Sequence, residues 1–380
     1  MDGLERAAQL YRERGCRAKE LKEEGQRIIG YLCAFPPVEL ITAAGMVPYR
    51  VTGSLAPVTA ADAYLETLMC PYVRSTFDLA LKGRYDFLDG MAWPHSCDNI
   101  QKTYDIWKSY TRHDYFHFLD VPHMANPASF DFFTQELTIF KESLEKFTGR
   151  LIGEDAVVQA VCLHNRQRQL LRELSELRVP DPPLLTGAEM MQVVVATITL
   201  PVEEANALLE EVIATVKGRS APPPSHRQPR LLIYGCELDD TAFIEMVEEV
   251  GGRVVTDDLC LGTRSFLTDV AVAGEPLRNL AQHYLGDIMC PRTFRRSPGS
   301  RAEDLENRFG HILALARKYN VDGVILYIIR YCDTFAFDAP DVRDYLQGAG
   351  IAVLHLEDDY SLTSIASCKT RVQAFLELMS

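Results

Sequence analysis

The chain has 380 residues, 47% of them hydrophobic and 24% charged, with a formal net charge of -14. That length exceeds what one hydrophobic core usually serves, so two or three domains are expected. The acidic balance argues against a nucleic-acid partner, which would need a basic surface, and the ordinary apolar fraction excludes general disorder.

Residues 1–25 form a charged, helix-like stretch without the apolar core of a signal peptide. No later segment offers about 18 uninterrupted apolar residues, so no membrane partner is expected and the protein reads as cytoplasmic. Strands and helices then alternate. Residues 27–33, 48–52 and 87–93 read as strands, with helices over 38–44, 73–82 and 100–108. This alternation favours a parallel sheet covered by helices.

Residues 130–147 and 155–177 carry apolar side chains at spacings of three and four and read as helices. Pro180, Pro182 and Pro183 break this helical region, and Pro222, Pro223, Pro224 and Pro229 mark a linker. Alternation resumes at residue 230. Strands are expected over 231–234, 253–256, 323–329 and 352–356, and helices over 241–250, 305–318, 342–348 and 370–378. The fold class is therefore α/β, with two Rossmann-like or flavodoxin-like parallel-sheet domains and an intervening helical region. The expected spans are 1–125 for the N-terminal helix and first α/β domain, 126–226 for the helical middle and linker, and 227–380 for the second α/β domain.

Ten cysteines are present. In a reducing compartment they are buried apolar side chains or ligands for a soft metal rather than a disulfide framework. Six of them fall into matched settings. Cys33 and Cys236 each follow a strand-like run; Cys70-Pro71 and Cys290-Pro291 each precede a helix-like segment; Cys97-Asp98 and Cys332-Asp333 each follow an Asp-Gly and an apolar run. Open parallel sheets bind ligands beyond the carboxyl ends of their strands. A helix start would also favour the thiolate that binds metal. Structural zinc is usually gripped by close Cys-x-x-Cys pairs, and the chain has none. Widely spaced thiols converging from separate elements better suit an iron–sulfur cluster.

Other residues carry two readings each. His95 is a ligand, a proton donor or simply a hydrogen-bonded strand-end residue. Glu39 is an acid or base near the cluster, or a first-turn carboxylate on a helix dipole. Arg264 binds an anionic substrate or pairs with a carboxylate. No phosphate-loop, Gly-x-Gly-x-x-Gly or Gly-x-Ser-x-Gly motif occurs.

Gly30-Tyr31-Leu32-Cys33, with Pro37-Val38-Glu39-Leu40-Ile41 and Ala43-Ala44-Gly45-Met46-Val47-Pro48, resembles the opening of the benzoyl-CoA reductase and 2-hydroxyacyl-CoA dehydratase family. Cys70-Pro71-Tyr72-Val73-Arg74-Ser75, Cys97-Asp98, Asp257-Asp258-Leu259-Cys260, Tyr331-Cys332-Asp333 and Leu356-Glu357-Asp358-Asp359 extend the resemblance over nearly the whole chain after residue 25. These motifs do not separate the dehydratases from the benzoyl-CoA reductases; the leading reading is a cluster-binding, dehydratase D-type subunit.

What the resemblance implies is a subunit of a dimeric, oxygen-sensitive enzyme whose iron–sulfur cluster, most simply 4Fe-4S, is held by Cys70, Cys97 and Cys332. Cys33 would lie near the cluster as a neighbour or an extra ligand; Cys33 and Glu39, the latter from its place after Cys33, are the candidate catalytic residues. The implied partners are a homologous second subunit, or a second copy of the chain, and an ATP-dependent iron–sulfur activator that delivers one electron at low potential. The implied substrate is an acyl-CoA, dehydrated through a ketyl radical. Benzoyl-CoA reduction, a homodimeric reductase with a double-cubane cluster, and a non-enzymatic α/β interaction module are the alternatives.

Overall fold

The computed structural model describes residues 1–220, 227–297 and 299–379. The expected linker prolines Pro222, Pro223 and Pro224 lie outside the described residues, while Pro229 immediately precedes a strand. The chain is α/β, with two separate four-stranded sheets, each wholly parallel.

Helix α1 (Gly3–Arg12) starts at a capping box built by Asp2 and Glu5, and α2 (Cys16–Glu23) follows the left-handed Gly15. The first sheet comprises β1 (Ile28–Tyr31), β2 (Val47–Arg50), β3 (Gly90–Pro94) and β4 (Tyr115–Leu119), in the order β2-β1-β3-β4. Its connections run through α3 (Val38–Ala43), α4 (Pro71–Leu81) and α5 (Asp98–Tyr110). Four helices come next: α6 (Pro127–Thr148), α7 (Glu154–Glu176), α8 (Gly187–Thr197) and α9 (Val202–Lys217).

The second sheet comprises β5 (Arg230–Gly235), β6 (Arg253–Asp258), β7 (Gly323–Ile329) and β8 (Ala352–Asp358), in the order β6-β5-β7-β8. Around it lie α10 (Ala242–Glu249), α11 (Thr263–Phe266), α12 (Pro276–Ala281), α13 (Arg301–Lys318), α14 (Asp333–Gly348) and α15 (Leu362–Glu377). A π-helical turn, Gln282–Asp287, extends α12.

Apolar strands buried along their whole length, such as Arg230–Gly235 and Gly323–Ile329, are what a sheet covered on both faces demands. One continuous apolar core joins the two sheets. A second, smaller core gathers Leu4 and Ala7 of α1 with Leu174 of α7, Val193 of α8 and Leu208 of α9. The leading helix is thus packed on the middle helices.

Three local expectations change. Strand β4 carries alternating aromatic and histidine side chains and was not expected from the sequence pattern. Cys290-Pro291 opens an irregular turn, not a helix. Helix α14 starts at Asp333, well before residue 342, and runs through Pro340. One absent N–H donor does not stop a helix whose Phe335, Ala339, Val342 and Leu346 are buried against the rest of the domain.

Candidate functional site

Each parallel sheet directs chain reversals past the carboxyl ends of its strands, and six of the cysteines are on those reversals or the helix starts beside them. Cys33 lies just beyond β1 and Cys236 just beyond β5; Cys260 follows β6. Cys70, Cys97 and Cys332 occupy the positions capping the amino ends of α4, α5 and α14. Pro71 at the first turn of α4 costs nothing there, because that N–H would be unpaired in any helix. Cys33 and Tyr331, the residue before Cys332, hold left-handed backbone at φ 61° and 60°. Such conformations cost about 1–3 kcal/mol in a residue with a Cβ and concentrate at functional sites.

These segments converge. A cavity of about 70 Å³ is lined by seven cysteines, namely Cys33, Cys70, Cys97, Cys236, Cys260, Cys290 and Cys332. Tyr72, Val73, Ile100, Ile329 and Phe335 make the remainder of its wall largely apolar. Cys16 and Cys162 are exposed elsewhere, and Cys368 is on the buried face of α15, outside the cavity wall.

Polar clamps fix the walls from both halves. The Asn99 amide oxygen accepts from the Cys70 N–H at 2.9 Å, while its nitrogen donates to the Tyr331 carbonyl at 3.2 Å. One side chain thereby ties the starts of α4, α5 and α14 together. Arg292 donates to four carbonyls of the first half, those of His95 at 2.8 Å, Ser96 at 2.9 Å, Val121 at 2.7 Å and Pro122 at 2.5 Å. Arg50 donates to the Cys33 carbonyl and pairs with Glu237 at 2.5 Å, bridging the first sheet to the second.

Desolvation governs the thiols. Burial pushes Cys97 up to about 12 and Cys290 up to about 11, and raises Cys70 further. A hydrogen bond with Cys236, added to burial, holds Cys332 well above the usual thiol range. The helix-start effect expected to favour thiolates is overridden, because burying several sulfurs together penalises every charged form. Only a group bringing positive charge would draw these protons off.

The donor set fits a soft, polynuclear group. Among the described residues, no set of three or more His, Cys, Asp or Glu side chains closes on a point that could hold a single metal ion. The thiols instead ring a void, as sulfurs must around a cluster.

Glu39 is elsewhere. Its carboxylate is wholly buried, paired with Arg168 and accepting from the Tyr284 hydroxyl at 2.8 Å. Burial alone would raise its pKa, but the Arg168 guanidinium outweighs burial and, with His164 adding charge only below its own lowered value of about 4, brings it down to about 2. It is a permanent anion at neutral pH and a poor proton donor. His95 bonds Asp120 at 2.9 Å and lies outside the cavity wall. Arg264 is buried against Asp258 at 3.0 Å and donates to the Cys260 sulfur at 3.3 Å, so of its two readings it takes the carboxylate pair. Gly262 has no room for a Cβ, which would strike the Asp257 carboxylate that accepts from the Thr263 N–H at 2.8 Å.

Sequence reasoning overlooked Arg50, Asn99, Glu237, Cys260 and Arg292 as site residues. Cys260 and Asn99 had a usable signal, since each sits within or beside a motif that carries the family resemblance. Arg50 and Arg292 had only their charge within apolar surroundings.

The chain matches the family model described as 2-hydroxyglutaryl-CoA dehydratase, D-component, over residues 33–379. It is 30% identical to a benzoyl-CoA reductase subunit of Thauera aromatica over 335 residues, covering 86% of this chain and 84% of the relative. It is 25% identical to the (R)-phenyllactyl-CoA dehydratase beta subunit of Clostridium sporogenes, covering 95% and 94%. With the beta subunit of (R)-2-hydroxyglutaryl-CoA dehydratase from Acidaminococcus fermentans it shares 24% identity over 94% and 93%.

Proposed function

The chain belongs to the 2-hydroxyglutaryl-CoA dehydratase D-component family of enzymes, and from that premise we propose that it is the iron–sulfur subunit of a 2-hydroxyacyl-CoA dehydratase-type enzyme. The reaction is elimination of water from a CoA thioester after one-electron activation. The observation that carries this reading is the cavity between the two halves, ringed by seven cysteines.

Cys70, Cys97 and Cys332 hold the cluster, drawing on both halves. When bound, an iron–sulfur cluster supplies one-electron chemistry at a potential set by its surroundings. The chain's own residues do the rest. Tyr72, Val73 and Phe335 exclude water, Asn99 keeps three helix starts in register, and Arg292 locks the cysteine-bearing turn of the second half onto the first. Glu39 acts as a fixed anion that orients Arg168 and Tyr284. The working assembly pairs this chain with a homologous subunit or a second copy of itself, in the cytoplasm, and takes its electron from an ATP-dependent activator protein.

A second reading rests on the surplus of sulfur. A single cubane needs at most four cysteines, and Cys33, Cys236, Cys260 and Cys290 share the same cavity wall. These four favour a double-cubane cluster in a self-sufficient homodimer. Anaerobic purification followed by iron and sulfide analysis separates the readings. About four irons per chain and turnover of a 2-hydroxyacyl-CoA with activator and partner subunit support the first; about eight irons per chain without a partner support the second. A colourless, iron-free, folded chain contradicts both.

A further inference from the structure

Two of the cavity thiols meet for backbone reasons. Strands β5 and β7 pair in parallel with Gly235 opposite Tyr327, so Cys236 leaves β5 beside the last residues of β7. There the Ile329 N–H donates to the Cys236 sulfur at 3.3 Å. The chain then turns back, the Cys332 N–H donating to the Ile329 carbonyl at 3.1 Å, and Tyr331 supplies left-handed backbone within that turn. Ile329 thus has its N–H on one cysteine and its carbonyl on the other, and the Cys332 thiol is hydrogen-bonded with Cys236. Cys70 and Cys97 interact with Cys332 through charge alone.

The two sulfurs differ in freedom and access. Cys236 is 3% exposed and anchored at the end of the sheet, whereas Cys332 is half-buried among the exposed Arg330, Tyr331 and Asp333. A disulfide needs its sulfurs about 2 Å apart, closer than a thiol hydrogen bond, and the exposed turn is the side that can yield. The cavity of about 70 Å³ exceeds the share of about 30 Å³ that one water takes in the liquid. Hydrogen peroxide, little larger than water, therefore fits beside both sulfurs.

We propose that in the metal-free chain peroxide joins Cys236 and Cys332 in a disulfide. One thiol takes an oxygen from peroxide, becoming a sulfenic acid and releasing water; the other sulfur then displaces that oxygen as a second water. The sulfur pair gives up two electrons, the peroxide takes them, and both thiol protons end in water. A dithiol reverses the bond by exchange. That the disulfide also withdraws a cluster ligand rests on the cluster reading above; its formation does not.

For the test, the full-length chain is stripped of iron by a chelator under anaerobic conditions and treated with equimolar hydrogen peroxide. Its remaining thiols are then alkylated in denaturant and the digest is mapped by mass spectrometry. The Cys236–Cys332 link is expected to dominate, to vanish on dithiothreitol, and to be absent from Cys236→Ser. Cys332 linked mainly to Cys70 or Cys97, no intrachain link, or the same pattern of links in the urea-unfolded chain would overturn the proposal. The mapping needs only the unmodified chain, so it decides even if the variant misfolds. Iron uptake is measured on the same oxidised sample. It is expected to be lost and to return with dithiothreitol; full uptake with the link in place would defeat the assignment of Cys332 to the cluster and leave the disulfide standing.

Discussion

The two sheets are built to one plan and furnished differently. Each has its first strand flanked by the second and third, with the fourth at the edge. In each, the first strand ends in a tyrosine or Tyr-Gly that leads to a cysteine: Tyr31 to Cys33, and Tyr234 to Cys236. At matching register the neighbouring strand offers Arg50 opposite Tyr31 in the first sheet and Asp258 opposite Tyr234 in the second. The same backbone position thus carries opposite charge. Arg50 reaches across to Glu237 of the other half, whereas Asp258 turns inward to Arg264 of its own. A repeated scaffold supplies the convergence of thiols; the unequal charges decide which half clasps the other. The second half adds Cys260 and holds Cys290 on a turn, while the first half holds Cys70 on a helix start.

The comparison breaks most visibly at the thiols. Replacing Cys70, Cys97 or Cys332 with alanine is expected to remove most cluster iron, whereas Cys16→Ala, Cys162→Ala and Cys368→Ala should retain it; metal analysis of anaerobically prepared variants decides. Equal iron loss from Cys236→Ala and Cys290→Ala would mean that the halves contribute symmetrically, as the larger cluster requires.

Next in size is the clamp between halves. Arg292→Ala strands four buried carbonyl bonds, and Arg292→Lys cannot replace them all. Each variant should lose about 3 kcal/mol in urea unfolding; a loss under about 1 kcal/mol would show that the halves do not depend on it.

Glu39 offers a comparable effect with a pH signature. Its folded value of about 2 lies below the ordinary carboxylate value of 4.5. The stability it contributes, about 3 kcal/mol, is therefore complete above the ordinary range and is lost as pH falls toward 2. Unfolding measured from pH 6 down to pH 2 should show that loss in the native chain and a much flatter profile in Glu39→Gln. An activity step near neutral pH that disappears in Glu39→Gln would instead restore the proton-transfer role.

The smallest effect concerns register. Asn99→Ala removes a bond to each side, to Cys70 and to Tyr331, and should cost about 1 kcal/mol while speeding iron release to a chelator severalfold. Unchanged release would show that the helix starts hold themselves.

Much of this was legible in the sequence for a physical reason. Doubly covered parallel strands must be apolar throughout, so β1, β5 and β7 declared themselves, and the residues just past them are where open sheets place ligands. Strand β4 hid because it is half-exposed, with aromatic side chains alternating in and out. Helix α8 hid within the middle region because it is buried on nearly every side and carries a Val-Val-Val run that gives no amphipathic period. Thiol protonation was misjudged for another reason: local sequence reveals a helix start but not how many other sulfurs will be buried beside it. Glu237, Arg168 and Ser96, which Arg50, Glu39 and Arg292 meet, lie more than 100 residues away from them, a distance that no local pattern encodes.

The central claim is that one cluster is held jointly by both halves within the thiol cavity. Iron and acid-labile sulfide per chain, compared between the native protein and Cys332→Ala under anaerobic conditions, test it most directly. The account predicts about four or more irons per native chain and nearly none in a variant that remains folded; native iron content in Cys332→Ala would contradict it.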